Sequence, residues 1–93
     1  MTNLAYLYIE QKKYSDARTY AEAALLAAEK NNRTNLKAVS NKLLGIISAE
    51  TGNPTIACGY FKIARTTYKA KNPTASLAAF DAPLADYSCT KSL

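Results

Sequence analysis

The stretch YSDARTYAEAALLAAE, residues 14–29, decides the fold. Its small and apolar residues fall at Ala17, Tyr20, Ala21, Ala24, Leu25 and Ala28. That is the i, i+3, i+4, i+7, i+8, i+11 stripe of a helix with one buried face. Because the stripe is mostly alanine, a neighbouring helix must come close, and Tyr20 and Leu25 supply the bulk. Such a helix is one half of a packed pair.

Working outward, the same logic divides the whole chain. Residues 3–11 (NLAYLYIEQ) read as a helix whose inward stripe is Leu4, Ala5 and Tyr8, with Tyr6, Ile9 and Glu10 on the other side. Lys12 and Lys13 form the turn, and Tyr14 or Ser15 opens the helix that runs to about residue 30. Residues 31–35 (NNRTN) break the apolar pattern, and Thr34 or Asn35 caps a helix to about residue 51. Its stripe is Leu36, Val39, Leu43 and Ile47, widened by Leu44 and Ile46. Gly52 stops it, and Asn53-Pro54 restarts the chain with Asn as N-cap and Pro at the first helical position. The helix over 54–71 is predicted to bury Ala57, Tyr60, Phe61, Ala64 and Tyr68. Asn72-Pro73 repeats the punctuation. Beyond it Leu77, Phe80, Leu84 and Tyr87 keep helical spacing, while Asp81 and Pro83 threaten to split the segment in two.

The chain also matches itself. A shift of 40 places Leu4 on Leu44, Ala5 on Gly45, Ala17 on Ala57, Tyr20 on Tyr60 and Ala24 on Ala64. A second shift brings Leu84, Ala85 and Ser88 onto Leu44, Gly45 and Ser48. The small residues coincide because each marks a close helix crossing. The expectation is an all-α domain of two antiparallel helix pairs: repeat one over 1–32, repeat two over 33–72, and a cap or partial third repeat over 73–93.

LAYLYIEQKKYSDARTYAEAAL and LLGIISAETGNPTIACGYFKIA resemble the tetratricopeptide repeat. Leu4-Ala5, Tyr8, Tyr14, Ala17, Tyr20 and Ala24 carry the likeness in the first unit. Leu44-Gly45, Gly52, Ala57, Phe61 and Ala64 carry it in the second. A period of 40 exceeds the usual ~34 by about one and a half helical turns. Lys12 replaces the usual turn glycine, and Pro54 stands where an aromatic is common. The resemblance implies an α–α superhelix of about two and a half repeats, whose first helices line a concave groove. Carried over by position, the groove candidates are Thr2, Tyr6, Ile9 and Glu10, then Lys42, Ile46, Ala49 and Glu50. Ile46 and Ala49 either line that groove or merely complete helix packing. The positions of the family's carboxylate clamp hold Thr2 and Tyr6 instead of lysine and asparagine, so chaperone-tail recognition is not implied.

Composition bounds the function. Ninety-three residues, 48% hydrophobic and 20% charged, suit one small folded domain. No stretch has the ~18 apolar residues of a membrane span, and MTNLAYLYIE lacks the basic start of a signal peptide. With no histidine there is neither a His-based triad nor a His-bearing zinc site. Gly52 and Gly59 belong to no phosphate-cradling motif. Cys58 reads as an inert thiol packed in a helix, and Cys58 and Cys89 form no spaced framework, which favours a reducing, cytoplasmic setting. The chain thus reads as a non-enzyme without cofactor or metal.

The net charge of +5 collects in two groups: Lys62, Arg65, Lys69 and Lys71, and Lys30, Arg33, Lys37 and Lys42. They would suit the phosphates of a nucleic acid. No stacking platform or reading helix accompanies them, so a solvated convex back is the plainer expectation. A protein or peptide partner in the groove leads. Uncapped repeat ends add an expectation of self-association, most simply a two-fold dimer, or of a longer array.

Overall fold

The computed structural model describes residues 2–89, and of Thr2 the backbone alone. Five helices follow in order: α1 (Thr2–Glu10), α2 (Tyr14–Lys30), α3 (Thr34–Glu50), α4 (Pro54–Lys71) and α5 (Ala78–Asp86). The all-α expectation holds, and the described residues include no strand. Pro83 does not split the last segment. It sits inside α5, buried, and helix packing outweighs the backbone hydrogen bond it cannot make.

The first three helices end in the same way. Lys12, Asn32 and Gly52 take left-handed φ values of 61°, 54° and 89°. The next amide in each case reaches back five residues: Lys13 N–H to the Tyr8 carbonyl, Arg33 to Ala28 and Asn53 to Ser48, all at 2.8 Å. This is the Schellman closure, which satisfies carbonyls orphaned at a helix end. Ser88, with φ 58°, closes α5 likewise through Cys89 N–H to the Leu84 carbonyl at 2.6 Å. Lys12 therefore does the work of a turn glycine at a cost of about 1–2 kcal/mol.

These closures correct the capping expectation at Thr34 and Asn35, while Asn53 is the N-cap and Pro54 the first helical residue, as expected. The last residue of each turn is also the N-cap of the following helix, so Lys13, Arg33 and Asn53 hold that position and none uses its side chain as a cap. Thr34 is the first helical residue instead of the cap. Links this short bring consecutive helices side by side as antiparallel neighbours. The rhythm breaks at Asn72, whose φ is −127°. A longer link to Leu77 follows, after Pro73, and α5 comes to lie against α4 and α3.

Contacts join α1 to α2, α2 to α3, α3 to α4 and α4 to α5, and also α1 to α3 and α3 to α5. The odd-numbered helices thus form one layer backed by α2 and α4. The outline of 34 × 33 × 17 Å fits two layers of helix. The organising element is α3, which touches all four others. Its buried set (Ala38, Ser40, Asn41, Leu43, Leu44, Gly45, Ile47 and Ser48) runs around most of the helix. The alanine stripe of α2 is nonetheless buried as its spacing predicts, at Ala17, Ala21, Ala24 and Ala28.

The 40-residue register holds where both members are enclosed. Ala5 and Gly45, Ala17 and Ala57, and Ala24 and Ala64 are all buried. It fails at Leu4, which is 42% exposed where Leu44 is 2% exposed. Leu44 is enclosed by neighbours around α3, whereas Leu4 lies on a flank of α1 that no described helix covers. Ile9, expected to face outward, is half-buried against the core around Leu43, Leu44 and Ile47.

Two more core clusters hold α5. Phe80 packs with Ala38 and Ala64, its ring tilted against Tyr68 at 4.7 Å between centroids. Leu84 and Cys89 pack with Ala57 and Phe61, and Phe61 stacks on Tyr87 at 5.4 Å. Arg65 Nε donates to Asp81 Oδ1 at 2.6 Å. The reading of Cys58 as an inert packed thiol does not hold, because it forms a disulfide with Cys89, with Cα atoms 5.5 Å apart. The 31-residue separation gives no local signal. Only the return of α5 onto α4 brings the two sulfurs together.

Ser40 is an exception to good packing, because its buried hydroxyl has no hydrogen-bond partner among the described residues. An unsatisfied buried polar group costs about 1–3 kcal/mol. Ser40→Ala is therefore expected to stabilise the protein, by roughly 1 kcal/mol in urea unfolding. An unchanged or lower midpoint would mean that the hydroxyl has a partner after all.

Candidate functional site

The proposed groove residues separate into three groups. Tyr6, Lys42 and Ile46 come together on the α1–α3 layer and line one side of a cleft of about 310 Å³. Across it stand Ala79, Ala82, Pro83, Asp86 and Tyr87, from α5 and the residue that closes it. Ile9 and Ala49 are packing residues: Ile9 lies on the central core and Ala49 on the cluster of Ala57, Phe61, Leu84 and Cys89. Ile46 does both. Glu10 and Glu50 are exposed at the ends of α1 and α3, outside the lining of the cleft. Thr2 opens α1, but its side chain lies outside the described residues.

The sequence placed the first wall and missed the second. Asp86, Pro83 and Tyr87 join the site only because α5 packs beside α3. Their helical spacing was visible. The face they share with Tyr6 and Lys42 was not, since the longer link after α4 sets it.

The walls differ in charge. The Lys42 ammonium lies 5.8 Å from the centroid of the Phe80 ring, a cation–π contact that restrains an otherwise flexible chain. Asp86 brings the opposite charge to the α5 wall. The floor between them is apolar, with Ile46, Ala79, Ala82 and Pro83. Such a surface offers an apolar side chain a seat and flanking polar groups a partner of either sign.

At one end, the Tyr87 hydroxyl donates to Glu50 Oε1 at 2.9 Å and ties α5 to the end of α3. Tyr87 is pushed up to about 12: burial comes first, then the hydrogen bond and charge of Glu50, then the charge of Asp86 and Tyr14. A tyrosine raised in the folded state keeps its proton there after the unfolded chain has begun to lose it. Folding stability from Tyr87 is thus intact below pH ~10 and declines as pH rises from about 10 to about 12. Glu50→Gln removes the charge, so its Tyr87 should ionise at lower pH in a 295 nm absorbance titration. An identical high-pH limb in both proteins would show that Glu50 does not hold the phenol.

Comparison with protein-family models, curated proteins and solved structures returns no match.

The site must therefore be read from its own geometry. The basic stripe of α4 is less available than the sequence suggested. Arg65 is paired with Asp81, and Lys62 is half-buried with its own interaction in the fold. Lys69 and Lys71 are exposed. Lys42 leaves the second basic group altogether, because it turns over Phe80 into the cleft. The described residues include no cluster of three or more Cys, Asp or Glu suited to a metal ion. No described helix is long and apolar enough to cross a membrane.

Proposed function

We propose that this chain is a helical-repeat binding module of tetratricopeptide type that takes a peptide or helix of a partner protein between α1, α3 and α5. The observation that carries it is the convergence of Tyr6, Lys42 and Ile46, three residues chosen by repeat position, on one cleft. The repeat reading is supported by the 40-residue equivalence of buried alanines and by contacts from α1 to α3 and α3 to α5. The role is binding and not chemistry: the cleft carries one lysine, one carboxylate and two tyrosines on an apolar floor, without a nucleophile–base pair.

A peptide with an apolar anchor and an acidic neighbour fits best, the anchor on Ile46 and Pro83 and the acid near Lys42. For a peptide selected from a random displayed library, Tyr6→Ala and Lys42→Glu should each weaken binding about 10-fold or more, with the circular dichroism spectrum unchanged. Lys69→Glu with Lys71→Glu should matter little. The opposite ranking would move the site to the basic back, where nucleic acid becomes the leading partner and affinity should fall steeply with salt.

Self-association belongs to the same reading. Leu4 and Leu7 are exposed on one flank of α1, and a second copy packed there would cover them. Sedimentation of Leu4→Glu with Leu7→Glu against the parent chain, over a wide concentration range, tests this, and a parent that stays monomeric at millimolar concentration rules it out. A cytoplasmic setting, expected from the sequence, would press the Cys58–Cys89 bond towards reduction; the closed bond fits an oxidising compartment better.

A further inference from the structure

The cleft just described is not the roomiest on the molecule. A second one, of about 360 Å³, opens between the start of α4 and the turn that closes α5, and is lined by Pro54, Thr55, Cys58, Gly59, Lys62, Tyr87 and Ser88. It leads to the disulfide. The two sulfurs differ in access: Cys58 is half-buried and lines the cleft, whereas Cys89 is 0% exposed. Gly59, without a side chain beside Cys58, leaves the approach open. Lys62 stands one helical turn along α4 and also lines the cleft.

We propose that this cleft is a thiol-exchange site, at which a small thiol attacks Cys58 and releases α5 from α4. The thiolate forms a bond to Cys58 Sγ as the Cys58–Cys89 bond breaks. The bond's electron pair leaves on Cys89 Sγ, which takes a proton from water. A second thiolate then attacks the sulfur that the first thiol attached to Cys58. It forms the oxidised dimer of the thiol, and Cys58 becomes a thiol in turn. The protein gains two electrons and two protons, and two thiols are oxidised to one disulfide. Attack is directed to Cys58 because it lines the cleft, whereas Cys89 is fully enclosed in the cluster with Ala57, Phe61 and Leu84.

The consequence follows from what the bond closes. The disulfide joins α4 to the residue just beyond the Ser88 turn, and α5 is otherwise held by the Phe80 and Leu84 packing, the Arg65–Asp81 pair and the Tyr87–Glu50 hydrogen bond. These contacts keep α5 seated while the bond is closed. With the bond open, α5 detaches more often than α1 to α4 unfold, because its contacts are fewer and lie at one margin of the fold. This inference stands apart from peptide binding and requires no partner.

The experiment uses the full oxidised chain and glutathione as probe, without denaturant. After brief exposure and acid quenching, peptide mass spectrometry should find the glutathione adduct on Cys58 at least ten times more often than on Cys89. In the fully reduced chain, hydrogen exchange of residues 78–89 should speed up at least tenfold more than that of residues 14–71, which is accelerated only by the loss of global stability. The Cys89→Ser chain, which has no disulfide to break, should take up glutathione at Cys58 from oxidised glutathione and show the same fast exchange in α5. An adduct mainly on Cys89, or a bond that resists glutathione until urea is added, overturns the proposal. So does reduction that speeds exchange over 14–71 as much as in α5, since α5 would then open only with the whole fold.

Discussion

Replacing Phe61 with alanine is expected to destabilise the protein by about 3–5 kcal/mol. Phe61 is the largest of the fully buried side chains. It packs in one cluster with Ala57, Leu84 and Cys89 and stacks on Tyr87, so it joins α4 to α5. It also lies against Gly45 of α3. A methyl group added at Gly45 would sit 2.5 Å from Phe61 Cε1, which no carbon pair tolerates. The glycine is there to admit the ring, although it costs roughly 0.5–1 kcal/mol of helix propensity relative to alanine. Truncating the ring therefore leaves an open space that backbone on one side and a disulfide on the other cannot readily fill. In a domain whose total stability is of order 5–15 kcal/mol, the loss is large. Urea unfolding with a drop below 1 kcal/mol would mean that the ring is not the junction of the three helices.

Loss of the disulfide is the second large effect. Cys58→Ser with Cys89→Ser frees a loop of 31 residues in the unfolded chain. The chain-entropy relation gives about 3.7 kcal/mol for that length. At about 4–8 °C per kcal/mol for a domain of this size, melting should fall by roughly 15–30 °C. Reduction of the parent chain should give nearly the same shift, because both routes remove the same cross-link. A parent chain that melts at one temperature with and without reductant would show that the bond contributes nothing to folding.

How much of this was legible in the chain follows from the range over which each residue acts. Gly52 and Asn53-Pro54 act within a few residues, and the helix ends they mark appear where the pattern put them. The alanines of α2 act across one helix crossing, and their spacing was enough to call for a close neighbour. The paired small residues at 5 and 45, 17 and 57, and 24 and 64 showed that the crossing occurs twice. Thr34 misled, because a good capping residue was preempted by the Schellman closure of the helix before it. Leu4 misled because the register describes an enclosed repeat, and α1 lies at one side of the fold.

The site was legible in half. Tyr6, Lys42 and Ile46 share a surface set by the α1–α3 pairing, which the repeat predicts. Asp86 and Tyr87 reach that surface through the turn of the chain between Asn72 and Leu77, where no periodicity governs direction. Cys58 and Cys89 have the same history. Each is ordinary in its own helix or turn, and their bond exists only because α5 packs on α4. Features fixed by neighbours along the chain could be read; those fixed by where α5 lands could not.

The central claim is that a partner peptide lies between α1, α3 and α5. It is tested most directly by chemical-shift mapping on the oxidised, isotope-labelled chain, titrated with a peptide selected on that chain from a random displayed library. The amides that move most should be those of Tyr6, Lys42, Ile46, Ala82 and Asp86, with Lys69, Lys71 and the outer face of α2 unmoved. Shifts concentrated on α2 and α4, with the cleft residues silent, would contradict it.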